Sequence, residues 1–241
     1  MHNSFSDFFS RDKRLLLAVA SGGEYGAVLK ALNASDIETS RDWCAIHFDT
    51  FSVLQTGVGK ANAAGAVTHE FMDGKSNDRN YSAVLSFGIA GSLAPQVEIG
   101  STIFGSSAVF ADEGTPCIGG QDWTSLEQSG WARTAFVQEE QPWTTHLSST
   151  ADHIGVIATI STISGTDEIA SQYAKRTGAL AESMEGAAIA QVCLQLELPF
   201  AELRVISNRC GDRNVNKLDI PTSFKRLIKV VQDWNFTACQ D

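Results

Sequence analysis

Two acidic residues in this 241-residue chain have the type and spacing needed to bind a sugar. Glu182 and Glu185 stand on either side of Ser183 and Met184, at the start of an alanine-rich stretch. Acids in a first helical turn can simply complement the helix dipole. Alternatively, the two acceptor oxygens of Glu185 bind a pair of vicinal hydroxyl groups while Met184 lies against the sugar face. The local pattern is compatible with both interpretations.

Four further segments place glycine or polar residues directly after an apolar run. They are Ser21-Gly-Gly-Glu24, Gly57-Val-Gly-Lys60, Phe87-Gly-Ile-Ala-Gly91 and Ser207-Asn-Arg209. In open α/β sheets ligands bind at the carboxyl ends of the strands, so these segments are candidates for a single site. Glycine there lets backbone N–H groups approach a ligand closely, although a tight turn also explains each glycine taken singly.

Common nucleotide-binding and metal-binding motifs do not match the sequence. Gly57-Val-Gly-Lys-Ala-Asn62 lacks the third glycine of the dinucleotide fingerprint, and Lys60 lacks the flanking residues of a P-loop. The five histidines form no H-E-x-x-H cluster and the five cysteines no C-x-x-C pair, so we expect no metal site. The odd number of cysteines and the lack of an apolar leader segment predict a soluble, cytoplasmic protein.

The charge balance excludes whole classes of partner. Eighteen Lys and Arg against 28 Asp and Glu give a net charge of −10, which would repel a polyanion or an anionic membrane surface. We therefore expect neither nucleic acid nor a membrane as a partner. With 43% apolar and 19% charged residues, the chain is expected to be globular rather than disordered.

Alternating strands and helices must position the candidate residues. Apolar runs predict strands at 15–20, 44–48, 51–57, 83–87, 101–110, 155–164 and 201–207, and helical periodicity predicts helices from 24 and at 60–72, 166–176, 184–197 and 221–234. This order predicts an α/β fold with a single domain, a three-layer sandwich around a central mixed, mainly parallel β-sheet. We assign the domain to residues 14–241, residues 1–13 to a flexible tail, and residues 111–152 to an irregular insertion with short helices.

Five blocks of sequence carry a resemblance to a known superfamily. In order, they are TGVGKANAA, SFGIAGSLAPQVEIGS, ISGT, ESMEGAAIAQVC and LPFAELRVISN. Over residues 15–112 and 155–235 the chain resembles the purine nucleoside phosphorylase and methylthioadenosine/adenosylhomocysteine nucleosidase superfamily. Within it, ESMEGAA together with ISN-x-x-G-D-R is most similar to the futalosine hydrolases. The resemblance implies hydrolysis of the N-glycosidic bond of futalosine, a nucleoside of menaquinone biosynthesis, to hypoxanthine and dehypoxanthine futalosine.

The resemblance also implies roles for individual residues. Glu24 matches the acid that positions or deprotonates the attacking water, and Met184 and Glu185 match a pair that contacts the ribose. Asn208 falls where the adenine-specific nucleosidases carry a catalytic Asp. We therefore expect Glu24 and Asn208 to be catalytic. The expected substrate-binding residues are Ile89, Gly91, Ser183, Met184, Glu185, Arg204 and Arg213.

The asparagine at position 208 bears on the identity of the base. An oxocarbenium-like sugar forms as the N-glycosidic bond breaks, and the enzyme helps the purine to leave by protonating it or by hydrogen bonding to it. Asn cannot act as an acid, but its amide can accept from a protonated N7 while it donates to a carbonyl at C6. Asn208 therefore favours a 6-oxopurine, although a flipped amide would also fit adenine without the acid contribution.

Water is the expected nucleophile, because the segments that would hold phosphate carry no cation. The first of them is Ser-Gly-Gly-Glu, and the Gly88–Gly91 segment contains no Lys or Arg. The expected activity is a purine-nucleoside hydrolase without a cofactor. The alternatives are a methylthioadenosine/adenosylhomocysteine nucleosidase, a phosphate-dependent 6-oxopurine nucleoside phosphorylase, and a catalytically silent nucleoside-binding protein.

Two cations follow Asn208 along the chain. Arg213 and Lys217 either belong to a solvated charged loop or pair with the carboxylate of a substrate such as futalosine. The partner expected from the resemblance is thus a small nucleoside. The same resemblance implies a homo-oligomer, either a dimer or a larger assembly.

Overall fold

The structure of this chain is a computed structural model, and it describes residues 4–35, 41–116 and 123–236. The strands are β1 (Arg14–Val19), β2 (Cys44–His47), β3 (Phe51–Gln55), β4 (Tyr81–Ser92), β5 (Thr102–Phe110), β6 (Gly114–Pro116), β7 (Trp123–Ser125), β8 (Ala135–Val137), β9 (His153–Thr159), β10 (Ala181–Ser183) and β11 (Phe200–Arg209). The α-helices are α1 (Gly22–Ala31), α2 (Lys60–Ser76), α3 (Pro142–Thr150), α4 (Asp167–Thr177), α5 (Gly186–Gln195) and α6 (Ile220–Asp233). Within the described ranges, no helix has both the length and the apolar character needed to cross a membrane.

The central sheet is mixed and closes on itself. Strands β10, β9, β5, β11 and β4 pair in that order, and β10 also pairs with β4, so these five strands form a barrel. Strands β1, β3 and β2 continue the sheet outward from β4. Five of its pairings are parallel and four are antiparallel. The predicted α/β class with a mixed sheet is confirmed. The predicted three-layer sandwich around a mainly parallel sheet is corrected to a closed barrel with parallel and antiparallel pairings. The short strand β10 closes this barrel through its antiparallel pairing with β4.

Helices cover both faces of the sheet around β1, which explains why that strand is apolar from Leu15 to Val19. Leu15 and Leu17 belong to one core cluster with Val28 of α1 and Leu227 of α6. Leu16 belongs to a second cluster with residues of α2 and α5. Every residue of β1 is buried, as is typical of a strand with both faces covered. These two layers hold the carboxyl ends of β1 and β4 in place.

The beginning of the described chain is packed onto the domain. A 3₁₀ helix over Phe5–Phe8 buries the ring of Phe5 completely, next to Trp143 and Trp234. The predicted flexible tail is therefore wrong for residues 4–9, while the first three residues of the chain lie outside those described. The segment itself is mixed in polarity, and only its aromatic partners in other elements show that it is anchored.

Phe5→Ala is expected to lower the free energy of unfolding by about 3 kcal/mol, because a buried ring would be replaced by a cavity. Urea unfolding measures the difference. Trp131→Ala is the matched control, since that ring is 80% exposed, and it should change the value by less than about 0.5 kcal/mol. Equal stability of the Phe5 variant and the wild-type protein would show that this segment is not anchored in solution.

Two further stretches differ from the predicted elements. β4 continues through the loop predicted after Phe87, because it stays paired with β11 as far as Ser92. A Cβ atom at Gly88 would lie 2.3 Å from Glu24 Oε1. Glycine at position 88 therefore leaves space for the Glu24 carboxylate, and it does not form the predicted turn. The predicted irregular insertion contains regular structure: β6 and β7 form a hairpin, β8 pairs with β5, and α3 follows. Its residues 117–122 lie outside those described.

Candidate functional site

A cavity of about 230 Å³ lies where β1, β4, β10 and β11 end. Of the nine site residues expected from the sequence, those that line it are Glu24, Ile89, Gly91, Ser183, Met184, Glu185, Asn208 and Arg213. Arg204 does not line the cavity. It is 1% exposed and lies behind Glu185, to which it donates a hydrogen bond. The sheet therefore brings together residues that are far apart in the sequence.

Glu24 is held at the start of α1 by a capping box. Its Oε2 accepts from the Ser21 N–H and from the Ser21 hydroxyl, each at 2.8 Å, and Ser21 Oγ accepts from the Glu24 N–H in return. Its Oε1 accepts from the Ile89 N–H of β4 at 2.8 Å. Because both oxygens are bonded and the side chain is 3% exposed, the carboxylate has one fixed orientation.

Glu185 belongs to a buried ion cluster at the wall of the cavity. Its Oε2 lies 3.3 Å from Arg204 Nη2, and Arg204 Nε donates to Glu202 Oε1 at 2.8 Å. Burial raises the pKa of Glu185 above its ordinary value, while the positive charge of Arg204 lowers it. Two carboxylates share one guanidinium, so this wall carries one excess negative charge when both carboxylates are ionised.

Glu202 is a member of this cluster that the sequence analysis missed. It lies in β11, is completely buried, and also accepts from Ser183 Oγ at 3.0 Å. A signal for it exists in the sequence, because an acid two residues before Arg204 in an apolar strand must be paired if both are buried. The Glu202–Arg204 pair orients the guanidinium toward Glu185.

Gly186 begins α5 next to this cluster and leaves no room for a side chain. A Cβ atom there would lie 2.1 Å from Glu202 Oε2, and the buried Glu202 cannot swing away. We expect Gly186→Ala to lower the free energy of unfolding by about 3 kcal/mol in a denaturant titration. Gly165→Ala is the matched control, because nothing lies within 4 Å of a Cβ atom at that position. Equal unfolding midpoints for the two variants would contradict this packing.

Gly57 and Gly59 of the predicted ligand-binding segment 57–60 contact the protein itself rather than a ligand. Gly57 has φ +85° and Gly59 has φ +93°, a backbone conformation that other residues rarely adopt. The Gly59 N–H donates to Glu185 Oε1 at 3.1 Å. This amide thus binds a carboxylate of the protein, and both oxygens of Glu185 are anchored.

Asn208 lies inside β11 rather than in a loop after it. A bulge in the pairing of β11 with β4, between Ile206 and Asn208, sets its position. Its Oδ1 accepts from Ser207 Oγ at 2.9 Å, and its Nδ2 donates to the Arg209 carbonyl at 2.8 Å. The amide keeps a second hydrogen and a second lone pair with which to bind a ligand.

Glu182 lines the same cavity from β10, and the sequence analysis noted it without giving it a role. Ser164 donates to its Oε1 through the hydroxyl at 2.7 Å and through the backbone N–H at 3.2 Å. Burial raises the pKa of Glu182 above its ordinary value. No N–H or O–H group of a described residue donates to its Oε2, and the only other donor near the carboxylate among the described residues is the thiol of Cys210, which lowers the pKa of Glu182.

The cavity carries little positive charge. Among the described residues that line it, Arg213 is the only cation, and its side chain is exposed, whereas Lys217 is not part of the lining. Lys60 is paired with Asp112 at 2.5 Å and with Glu113 at 3.0 Å. In residues 4–35, 41–116 and 123–236, no three His, Cys, Asp or Glu side chains are grouped to hold a metal ion.

Comparison with known proteins places the chain among relatives that match most of its length. A family model for the phosphorylase superfamily matches residues 14–233. A futalosine hydrolase from Acidothermus cellulolyticus is 34% identical over 95% of this chain and 93% of its own length. A futalosine hydrolase from Streptomyces coelicolor is 31% identical over 83% of this chain and 86% of its own.

The fold is also found among solved structures. The methylthioadenosine/adenosylhomocysteine nucleosidase from Streptococcus pneumoniae, in complex with 8-aminoadenine, matches with a TM-score of 0.71. The match covers 94% of this chain and all of that chain at 18% identity, which is a similarity of fold alone. The family match and the identity shared with full-length relatives lead to one conclusion: this chain belongs to the phosphorylase superfamily.

Proposed function

We propose that this protein hydrolyses the N-glycosidic bond of futalosine and releases hypoxanthine and dehypoxanthine futalosine, a step in menaquinone biosynthesis. The observation that carries the proposal is the convergence of Glu24, Glu185 and Asn208 on one cavity. Two futalosine hydrolases, 34% and 31% identical to this chain, support the choice of substrate. The three residues supply the three requirements of the reaction, which are an activated water, a ribose contact and a base contact.

Glu24 is the residue that activates the water. Its bonds to Ser21 and Ile89 hold the carboxylate still. Oε2 already accepts two hydrogen bonds, whereas Oε1 accepts only from Ile89 and retains a lone pair for the water. The water oxygen bonds to C1′ of the ribose and its proton passes to Glu24, which returns it to solvent. The electron pair of the C1′–N9 bond leaves with the purine, and the purine takes up one proton from solvent at N7. A carboxylate positioned before the reaction needs no rearrangement at the transition state.

Glu185 binds the ribose and stabilises its developing positive charge. The unused lone pairs of its two oxygens accept from the vicinal hydroxyls, and the half-buried Met184 lies against the sugar. Glu185 and Glu202 together exceed the charge of Arg204 by one negative unit when both are ionised. In a buried site such an excess favours an oxocarbenium-like sugar over the neutral ground state.

Asn208 holds the leaving base. Its Oδ1 can accept from a protonated N7, and its Nδ2 can donate to the carbonyl at C6, which is the pattern that a 6-oxopurine presents. Ile89 and Gly91 of β4 line the cavity beside it. The amide contributes by hydrogen bonding rather than as an acid.

The charge of the cavity favours water over phosphate as the nucleophile. Its lining contains Glu24, Glu182 and Glu185, and among the described lining residues only Arg213 is positive. A phosphate dianion in this cavity would meet net repulsion, because anion sites of this kind rely on Arg or Lys.

One assay tests the proposal. The protein is incubated with futalosine, inosine and methylthioadenosine, each with and without phosphate, and the released base is identified by chromatography. We expect hypoxanthine from futalosine at a rate that does not depend on phosphate. Release of adenine alone would favour a methylthioadenosine/adenosylhomocysteine nucleosidase, and a requirement for phosphate would favour a phosphorylase; either result would overturn the proposal.

Arg213→Ala is expected to raise KM for futalosine about fivefold while kcat changes little, because an exposed Arg at the cavity edge pairs with the substrate carboxylate. Inosine lacks that carboxylate, and its KM should not change. Lys217→Ala is the matched control, since Lys217 is exposed and lies outside the cavity lining. An unchanged KM for futalosine in the Arg213 variant would remove this residue from substrate binding.

The domain boundary, the assembly and the location remain predictions. The family match over residues 14–233 supports one domain over 14–241. The homo-oligomer is supported by the superfamily resemblance alone. Sedimentation velocity of the purified protein measures the assembly, and cell fractionation tests the cytoplasmic location.

A further inference from the structure

An unpartnered carboxylate oxygen lies in the wall of the cavity. Glu182 is 5% exposed, Ser164 donates twice to its Oε1, and no described residue donates to its Oε2. A buried acceptor without a donor costs free energy, and such a group calls for a physical explanation. Among the described residues with a buried, unpartnered side-chain atom, Glu182 is the only one that lines the cavity. A ligand in the cavity is the natural source of the missing donor.

Glu182 and Asn208 border the same end of the cavity. In β4, Gly91 is paired with Glu182 on one side and with Asn208 on the other. A Cβ atom at Gly91 would lie 2.6 Å from Cys210 Sγ, 3.4 Å from Asn208 Nδ2 and 3.5 Å from Glu182 Cγ, so these three side chains meet over this glycine. Glu185, by contrast, is anchored to Arg204 and Gly59. The end of the cavity that we assign to the base thus contains an amide and a carboxylate side by side.

The surroundings of Glu182 leave its ionised form short of one favourable contact, because burial outweighs the groups that stabilise the charge. Burial raises its pKa, whereas Ser164, the Cys210 thiol and the charge of Arg213 lower it. A further donor from a ligand would act in the same direction as these three groups. Arg213 is exposed and forms no hydrogen bond with Oε2, and the Cys210 thiol is a weak donor that a substrate N–H can replace as a partner of Glu182.

We propose that Glu182 determines the specificity for the base, its Oε2 accepting the N1 hydrogen of a 6-oxopurine while Asn208 contacts the N7 and carbonyl edge. The proposal rests on the proposed function, because it names the base that the same site selects. In a 6-oxopurine N1 carries a hydrogen, whereas in adenine N1 is an acceptor. An adenine in this position would set a lone pair against the carboxylate and leave Oε2 unpaired. Sites that recognise a substrate N–H in this way reject analogues that lack it.

Kinetics with futalosine and its N1-methyl analogue test the contact. In the wild-type protein, N1-methylation should lower kcat/KM about 10²-fold, because it removes the donor and inserts a methyl group against Oε2. In Glu182→Ala this penalty should fall below about tenfold, and kcat/KM for futalosine itself should fall by about 10- to 100-fold. A residue with a merely structural role would affect both substrates equally and leave the penalty unchanged.

Glu182→Gln provides a second variant that keeps the size of the side chain. Its amide can donate to N1 of a 6-aminopurine, so the ratio of kcat/KM for futalosine to that for its 6-amino analogue should fall about tenfold. Glu98→Gln, at an exposed position outside the cavity lining, is the matched control and should keep the wild-type ratio. Thermal unfolding verifies that each variant is folded.

The outcomes separate this proposal from the proposed function. Hypoxanthine release by the wild-type protein with an equal N1-methyl penalty in wild type and Glu182→Ala would overturn the role of Glu182 alone. If the wild-type protein releases no hypoxanthine, the proposed function fails, and calorimetric binding of hypoxanthine and 1-methylhypoxanthine decides the role of Glu182. If the wild-type protein binds hypoxanthine more tightly than 1-methylhypoxanthine and Glu182→Ala does not, the contact is supported. If both proteins show the same preference, the contact is overturned.

Discussion

Glu24→Gln is expected to lower kcat for futalosine about 10³-fold, because an amide cannot take the proton of the attacking water. Glu185 and Asn208, the proposed substrate contacts, lie elsewhere in the cavity and remain, so KM should change much less than kcat. Initial rates of hypoxanthine release over a range of futalosine concentrations separate the two constants. A single-turnover experiment then shows that the chemical step, rather than product release, has slowed.

The same substitution should have a moderate effect on stability. The new NH₂ group must face either the Ser21 N–H or the Ile89 N–H, both of which now donate to the carboxylate. Donor facing donor should lower the free energy of unfolding by about 1–3 kcal/mol. Glu168→Gln is the matched control, since Glu168 is an exposed glutamate in the first turn of α4, and it should retain full activity. Full activity in the Glu24 variant would remove our assigned water activator.

Glu185→Gln is expected to lower kcat/KM for futalosine about 10²-fold, through the loss of charge-assisted contacts to the ribose hydroxyls. The wild-type protein should show a loss of similar size with the 2′-deoxy analogue of futalosine. The variant should discriminate much less between the two substrates, because the acceptor that tells them apart has lost its charge. Unchanged discrimination in the variant would assign the hydroxyl contact to another residue.

Stability should distinguish this effect from misfolding. The pKa of Glu185 is raised in the folded protein, so its protonated form favours folding. The stability that this form provides is present at low pH and is lost as the pH rises through the raised pKa. Glutamine does not ionise and so avoids this loss of stability, and Arg204 keeps Glu202 as a partner. The glutamine NH₂ group must face either the Gly59 N–H or Arg204, however, and both of these now donate to the carboxylate. Because the two effects oppose each other, we expect Tm at pH 7 to change by less than about 5 °C. A large fall in Tm would mean that the loss of activity reflects a damaged ion cluster instead of a missing contact.

The contacts of Glu24 and Glu185 show how the fold maintains the geometry of the cavity. Glu24 is at once a helix cap and the proposed water activator, and Glu185 is at once a partner of Arg204 and the proposed ribose contact. Backbone N–H groups of Ile89 and Gly59 complete the anchoring. Each carboxylate is therefore positioned by two separate parts of the chain, which is how a site keeps its geometry without a bound ligand.

Local sequence predicted well what depends on near neighbours. The apolar run at 15–20 predicted β1, and helical periodicity predicted α4 and α6 closely. Polar residues directly after apolar runs likewise predicted that Glu24 and Asn208 lie in one site, because parallel strands bring their carboxyl ends to one edge of the sheet. The features that the sequence did not predict depend on distant contacts. β10 has only three residues and is a strand because it pairs with β4 and β9. Phe5 is buried by Trp143 of α3 and by Trp234, which follows α6.

The sequence by itself determined the α/β class, the superfamily resemblance and the residue types that the reaction requires. Periodicity and motifs are properties of neighbouring residues, so they survive in one dimension. Only the tertiary structure decided that the sheet closes into a barrel, that Glu202 joins the Arg204 cluster, and that Glu182 keeps one oxygen unpartnered. Pairing, burial and missing partners are set by residues far apart along the chain, and no local pattern encodes which of them meet.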